Sequence, residues 1–186
     1  LGLLRIARES NVGRFVYVSS SEVYGTAMQV PMTELHPAFP HTVYGASKLA
    51  GEMYARAYHE TYGMQTVMVR PFNSFGPRSH HEGDSGEVIP KFMLRCMDNQ
   101  VLHVFGDGKQ TRDFTFVSDT ARGILLSAAA KDAIGQTINL GSGREITIAD
   151  LAREVQAVVV GTTSAVVYDP PRPGDVVFMS RGADAM

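Results

Sequence analysis

Hydrophobic positions along the chain alternate between helical and strand-like spacing. Leu3, Leu4 and Ala7 recur at helical intervals in LGLLRIARES, and the pattern stops near Asn11 and Gly13. RFVYVS follows as a buried strand rich in β-branched and aromatic residues. From Gly25 to His41 the periodicity fades and Pro31, Pro37 and Pro40 interrupt the chain, so this segment reads as a long loop, a class that often carries function. TVYGASKLAGEMYARAYHETYG is the strongest helix signal, with Val43, Leu49, Met53 and Ala57 apolar on neighbouring turns and Gly63 placed to end it. MQTVMVR predicts a strand whose all-apolar centre implies burial on both faces, as in a parallel sheet.

After an irregular stretch from Asn73 to Glu87, the pattern predicts a helix over VIPKFMLRCM, a short strand VLHVF and a turn GDGKQ. The segment Thr111 to Phe116 leads into another helix, for which Ser118 is a natural N-cap with Asp119 favourable in the first turn. QTINLG reads as a strand. TIADLAREVQAVVV reads as a helix capped by Thr147 with Asp150 at its third position, and AVVYD as a last strand. Strands alternating with helices predict an α/β fold with a mainly parallel sheet, the later, shorter elements forming a smaller lobe.

Composition narrows the function classes. The 186 residues are 44% hydrophobic, enough for a sizeable core, and the formal charge of -2 leaves no electrostatic footprint for nucleic acid or an acidic membrane. No stretch approaches a membrane span of about 20 apolar residues. Cys96 is the single cysteine and cannot form an internal disulfide, which fits a reduced, cytoplasmic setting. The chain begins at Leu1 without a signal-peptide pattern and is expected to be a piece of a longer protein.

Ligands of open α/β sheets bind beyond the carboxyl ends of the strands. Ser19, Ser20, Ser21 and Glu22 follow RFVYV there, and RPFN lies at the corresponding end of TVMVR, so both polar clusters are expected to face one crevice. Tyr44 and Lys48 are four residues apart and share a helix face. An ammonium beside a phenol favours the phenolate, a competent general base. A turn role for Ser20 and Ser21 and chance for the Tyr-Lys spacing are the competing explanations of each feature alone.

FVYVSSSEVYG, YGASK, VRPFNSFGPR, FGDGKQTRDFTFVSD and INLGSG occur together in an order that resembles the extended short-chain dehydrogenase/reductases, specifically the nucleotide-sugar NAD-dependent epimerase/dehydratase family. The resemblance spans nearly the whole chain. It implies the C-terminal part of a Rossmann-like doubly wound parallel sheet over residues 1–75, carrying the catalytic groups, and a smaller α/β nucleotide-sugar lobe over 76–186, with some elements returning to the first sheet. It also implies NAD as cofactor and a nucleotide-diphosphate sugar as substrate. By resemblance Ser20 hydrogen-bonds the sugar 4-hydroxyl, Tyr44 removes its proton while hydride leaves C4, and Lys48 binds the nicotinamide ribose and holds Tyr44 as phenolate. Pro71 and Phe72 fall at cofactor positions.

Glu22 matches the glutamate that takes the C5 proton in the family's dehydratases. Ser21 departs from the Asp of many 4,6-dehydratases, the acid for the departing C6 hydroxyl, and a serine is a far poorer donor. Amino-sugar dehydratases and nucleotide-sugar decarboxylases are similar to this chain in placing Ser before Glu, but the decarboxylases tend toward Tyr-Asp-Glu-Gly-Lys where this chain has Tyr-Gly-Ala-Ser-Lys. The resemblance therefore favours a 4,6-dehydratase type, ahead of a 4-epimerase, a decarboxylase, or a non-catalytic nucleotide-sugar binding module.

At the nucleotide end, Asn73 matches a diphosphate-contacting Asn, and Arg112 and Arg172 match phosphate-binding arginines, a task suited to the planar guanidinium fork. Asn139 falls at a substrate position, and Val88 and Ile89 are expected to flank the base. The family's glycine-rich phosphate loop has no counterpart in these residues. GSGREI only imitates it, since Ile146 stands where glycine belongs. SHHEGD is read as a solvated loop over the substrate, with no metal. The resemblance further implies a homodimer whose four-helix bundle pairs the Leu1–Ser10 and Tyr44 helices with their twins, placing Leu3, Leu4 and Met53 at the interface.

Overall fold

The computed structural model describes residues 1–83 and 86–171. Helix α1 (Gly2–Glu9) leads into strand β1 (Phe15–Val18), a 3-10 helix (Ser21–Tyr24), helix α2 (Val43–Tyr62) and strand β2 (Thr66–Pro71). Then come β3 (Asn73–Phe75), α3 (Val88–Met97), β4 (Leu102–Phe105), β5 (Thr111–Phe116), α4 (Val117–Ala129), β6 (Thr137–Leu140), β7 (Glu145–Thr147), α5 (Ile148–Val158) and β8 (Val166–Asp169). The architecture is mixed α/β.

The first sheet has the order β1-β2-β6 and is all parallel, with Val18 beside Val69 and Arg70 beside Asn139. Its central strand shows why MQTVMVR is apolar throughout. Val67, Met68 and Val69 are fully buried, and successive side chains point to opposite faces. Met68 packs with Leu4, Ala7, Ala55 and Met64 under α1 and α2, whereas Val67 and Val69 pack with Ala133, Ile124 and Ile138 toward α4. Each such burial stabilises the fold by about 1.5–3 kcal/mol. The second half of the chain builds another core, where Phe92 and Cys96 of α3 and Leu151 and Val155 of α5 close over Leu102 and Val104 of β4. β4 pairs with β8 in parallel.

The long helix α2 runs from Thr42, whose hydroxyl accepts from the Gly45 amide at 2.9 Å, to Gly63 in the left-handed region at φ 65. Thr147 caps α5 in the same way through the Asp150 amide.

Several expectations need correction. The irregular stretch after Asn73 contains β3, which pairs in parallel with β5, and β7 is an antiparallel partner of β5 that the loop-like GSGREI conceals. Three-residue strands carry too little periodicity to be read alone. Ser118 does not cap α4: the helix starts at Val117, its N-cap position is Phe116, and Ser118 lies inside the first turn with Asp119. β1 is only half buried, because among the described residues its one strand neighbour is β2. On α2 the apolar Val43 and Met53 are exposed, while Glu52 is fully buried.

Candidate active site

The polar cluster after β1 is ordered by capping. Ser20 has extended backbone at φ -160 and its Oγ accepts from the Glu22 amide at 3.2 Å, starting the 3-10 helix. Ser21 is buried, and so is Ser19, whose Oγ has no hydrogen-bond partner among the described residues. Glu22 is half-buried, and its Oε2 accepts from Thr42 Oγ1 at 2.9 Å. The Thr42 hydroxyl thus caps α2 and holds the Glu22 carboxylate at once. The loop between them leaves and returns to one place.

Tyr44 and Lys48 stand on α2 just beyond this junction. Tyr44 is 50% exposed, so its phenol is open to a ligand. Lys48 Nζ donates to the Val18 carbonyl at 3.1 Å, anchoring the ammonium to the carboxyl end of β1 and leaving two of its three N–H donors for other partners. The ammonium lies 5.6 Å from the Tyr44 ring centroid and 6.0 Å from that of Tyr17, within cation–π range. Burial pushes the Tyr17 phenol above its ordinary range, and the Glu52 carboxylate adds to the effect.

Asn73, Val88 and Arg112 line a second region, a cavity of about 660 Å³ shared with Lys91, Arg95 and His103. Asn73 Nδ2 donates to the Asp113 carbonyl at 3.4 Å, and Arg112 Nη1 to the Thr111 carbonyl at 2.8 Å. The buried Asp113 carboxylate accepts from the Ser142 amide and hydroxyl and the Gly143 amide, which fastens the loop after β6 against β5. His103 Nδ1 and Asp169 Oδ2 are 2.7 Å apart on the wall.

Not every expected residue comes to these two regions. Ile89 lines a different cavity, of about 800 Å³, with Phe75, Phe114 and Phe116, so Val88 and Ile89 do not flank one space. Asn139 is 1% exposed and fully engaged inside the protein: its Oδ1 accepts from Tyr24, its Nδ2 donates to the Met32 carbonyl and its amide to Glu34. It supports the fold where a substrate contact was expected. Phe72 is buried against Val23, Tyr24 and Met32 and its amide donates to the Leu140 carbonyl at 2.8 Å, while Pro71 is half-buried at the end of β2. Arg172 lies outside the described residues. No metal-binding cluster occurs among the described residues. Thr42, Gly45, Glu52 and Arg70 escaped the sequence reading. Glu52 had a signal, since it continues the four-residue spacing of Tyr44 and Lys48.

The chain matches the NAD dependent epimerase/dehydratase family over residues 1–141. It is similar to the dTDP-glucose 4,6-dehydratase of Actinoplanes sp., 36% identical over 92% of this chain and 52% of the relative. It is similar also to the UDP-glucose 4-epimerase of Mycolicibacterium smegmatis, 33% identical over 94% of this chain and 55% of the relative. The dTDP-glucose 4,6-dehydratase DesIV of Streptomyces venezuelae, solved as a double mutant with NAD bound, superposes with a TM-score of 0.88 at 34% identity, covering 96% of this chain and 54% of that one. The chain therefore spans about half the length of the relatives it matches. Together with its parallel α/β sheet, these matches establish that the chain belongs to the NAD dependent epimerase/dehydratase family.

Proposed function

We propose that the chain is the catalytic and substrate-binding part of an NAD-dependent nucleotide-sugar 4,6-dehydratase. The observation that carries this reading is the junction of Glu22, Thr42 and the Tyr44–Lys48 face at the carboxyl end of β1. The residues present fit the nicotinamide half of the cofactor, since Tyr44 is open and Lys48 keeps free donors beside it. NAD, when bound there, supplies a hydride acceptor for sugar C4. Ser20 hydrogen-bonds the 4-hydroxyl and Tyr44 takes its proton. The resulting C4 ketone acidifies C5–H; Glu22 takes that proton and its carboxyl then hands it to the C6 hydroxyl, which departs as water. Thr42 aims the Glu22 carboxylate by holding one of its oxygens. Asn73 and Arg112 bind the diphosphate and Val88 contacts the base within the adjoining cavity.

Relatives of both dehydratase and epimerase type occur at similar identity. Only elimination needs a base at C5, so Glu22 separates the two. In the full-length enzyme, Glu22→Gln should leave NAD reduction by substrate intact while water loss falls roughly a hundred- to ten-thousand-fold. Product analysis with dTDP- and UDP-sugars checks this. A 4-epimer formed equally well by wild type and variant would make the enzyme an epimerase, with Glu22 structural.

A further inference from the structure

One buried guanidinium joins the two segments that carry the proposed chemistry. Arg70 on β2 is 5% exposed. Its Nε donates to Glu52 Oε2 at 3.0 Å and its Nη2 to Glu52 Oε1, a two-pronged contact with a carboxylate that is fully buried on α2. Its Nη1 donates to the Tyr24 hydroxyl at 2.7 Å, and the Tyr24 O–H in turn donates to Asn139 Oδ1 at 2.7 Å. Glu52 sits one turn beyond Lys48 on the same helix, and Tyr24 ends the 3-10 helix that carries Glu22. Burial alone would lower the Arg70 pKa, but the hydrogen bond to Glu52 and the charge of that carboxylate hold it above its ordinary value.

A buried ion pair contributes little net stability, because desolvation offsets the attraction, and an apolar pair of similar volume is often as stable. The planar fork does impose orientation on whatever it holds. Catalysis is sensitive to that, since displacing a reacting group by about 1 Å can cost about a hundred-fold. We infer that Arg70 is a positioning residue, tied to α2 through Glu52 and to the 3-10 helix through Tyr24, and that it sets the placement of Tyr44 and Lys48 relative to Glu22. The catalytic half of this inference rests on the function proposed above.

The test uses the full-length enzyme with Tyr24→Phe, which keeps the ring and the Arg70–Glu52 pair but removes the hydroxyl link, and with the paired replacement Arg70→Met plus Glu52→Met. Two readouts are taken. Hydrogen exchange at the Val23 and Gly25 amides, which bond to the Ser20 and Glu22 carbonyls, should quicken at least about ten-fold in Tyr24→Phe while the β2 amides stay protected. This readout needs no activity and stands even if no nucleotide sugar is turned over, an outcome that would sink the dehydratase reading alone. For the chemistry, both proteins should lose about ten-fold or more in kcat with KM within two-fold, even where the paired replacement melts within a few degrees of wild type. A purely structural role predicts that activity returns with stability in the paired replacement. Unchanged exchange in Tyr24→Phe, or wild-type kcat in that variant, overturns the inference, and Tyr24→Phe decides it if the paired replacement does not fold.

Discussion

Gly45 lies against the backbone of Glu22: a Cβ on Gly45 would stand 2.7 Å from the Glu22 carbonyl oxygen and 3.0 Å from Pro40 Cβ. The first turn of the Tyr44 helix can rest on the 3-10 helix only because this position has no side chain. Alanine would raise helix propensity by up to about 1 kcal/mol, but the obstructing atom is main chain and cannot turn aside. The clash should win. Gly45→Ala is expected to lower the melting temperature and, by moving Tyr44 relative to Glu22, to reduce kcat by roughly a hundred-fold. Calorimetry and steady-state kinetics of the full-length enzyme check both; a variant more stable than wild type with full activity would refute the argument.

Alkaline stability follows from Tyr24. Burial raises its pKa above 10, and the Arg70 charge and the hydrogen bond that Arg70 donates only partly oppose this. The folded state keeps the phenolic proton at a pH where the unfolded chain has lost it. This contribution is fully present below about pH 10 and is lost as pH rises through the folded value. Tyr17 shifts in the same direction. Urea midpoints should therefore fall as pH rises above about 10, and less steeply in Tyr24→Phe. An unchanged slope in that variant would place the titration elsewhere.

Arg112 on the cavity wall with Asn73 and Val88 is proposed to grip the diphosphate. A lysine keeps the charge but not the planar fork. Arg112→Lys is expected to weaken UDP or dTDP binding by about ten-fold, in line with the roughly 1.5–3 kcal/mol of a hydrogen bond to a charged group. Calorimetric titration of the full-length enzyme measures it, and unaltered affinity would exclude Arg112 from the phosphate site.

The dimer expectation divides its residues. Leu4 is 4% exposed and packs within its own chain, so it is not available to a partner. Leu3 at 74% and Ile6 at 56% remain open on α1, as does Met53 on α2. If these helices pair with their twins, light scattering of the full-length protein at micromolar concentration should give a dimer. Leu3→Asp with Ile6→Asp should convert it to monomer without loss of helix content. A monomeric wild type would end this reading.

The sequence by itself determined the elements and much of their chemistry. A continuous apolar run placed β2 and period-3.6 hydrophobicity placed α2, α3 and α5, caps such as Thr147 and Gly63 are local chemistry, and the spacing of Tyr44 and Lys48 on one helix needs no tertiary knowledge. The tertiary structure decided what depends on contacts between segments distant in the chain. Strands β3 and β7 exist because β5 lies beside them. Asn139 turned inward because Tyr24 and Met32 claim its polar atoms, and Ile89 parted from Val88 because adjacent helical residues point about 100° apart into different cavities. Glu52, a carboxylate on the long helix, is buried because the Arg70 guanidinium arriving from β2 makes its burial tolerable. Local pattern reports the backbone's preferences, whereas the partners of a buried polar group are set by chain folding across long separations.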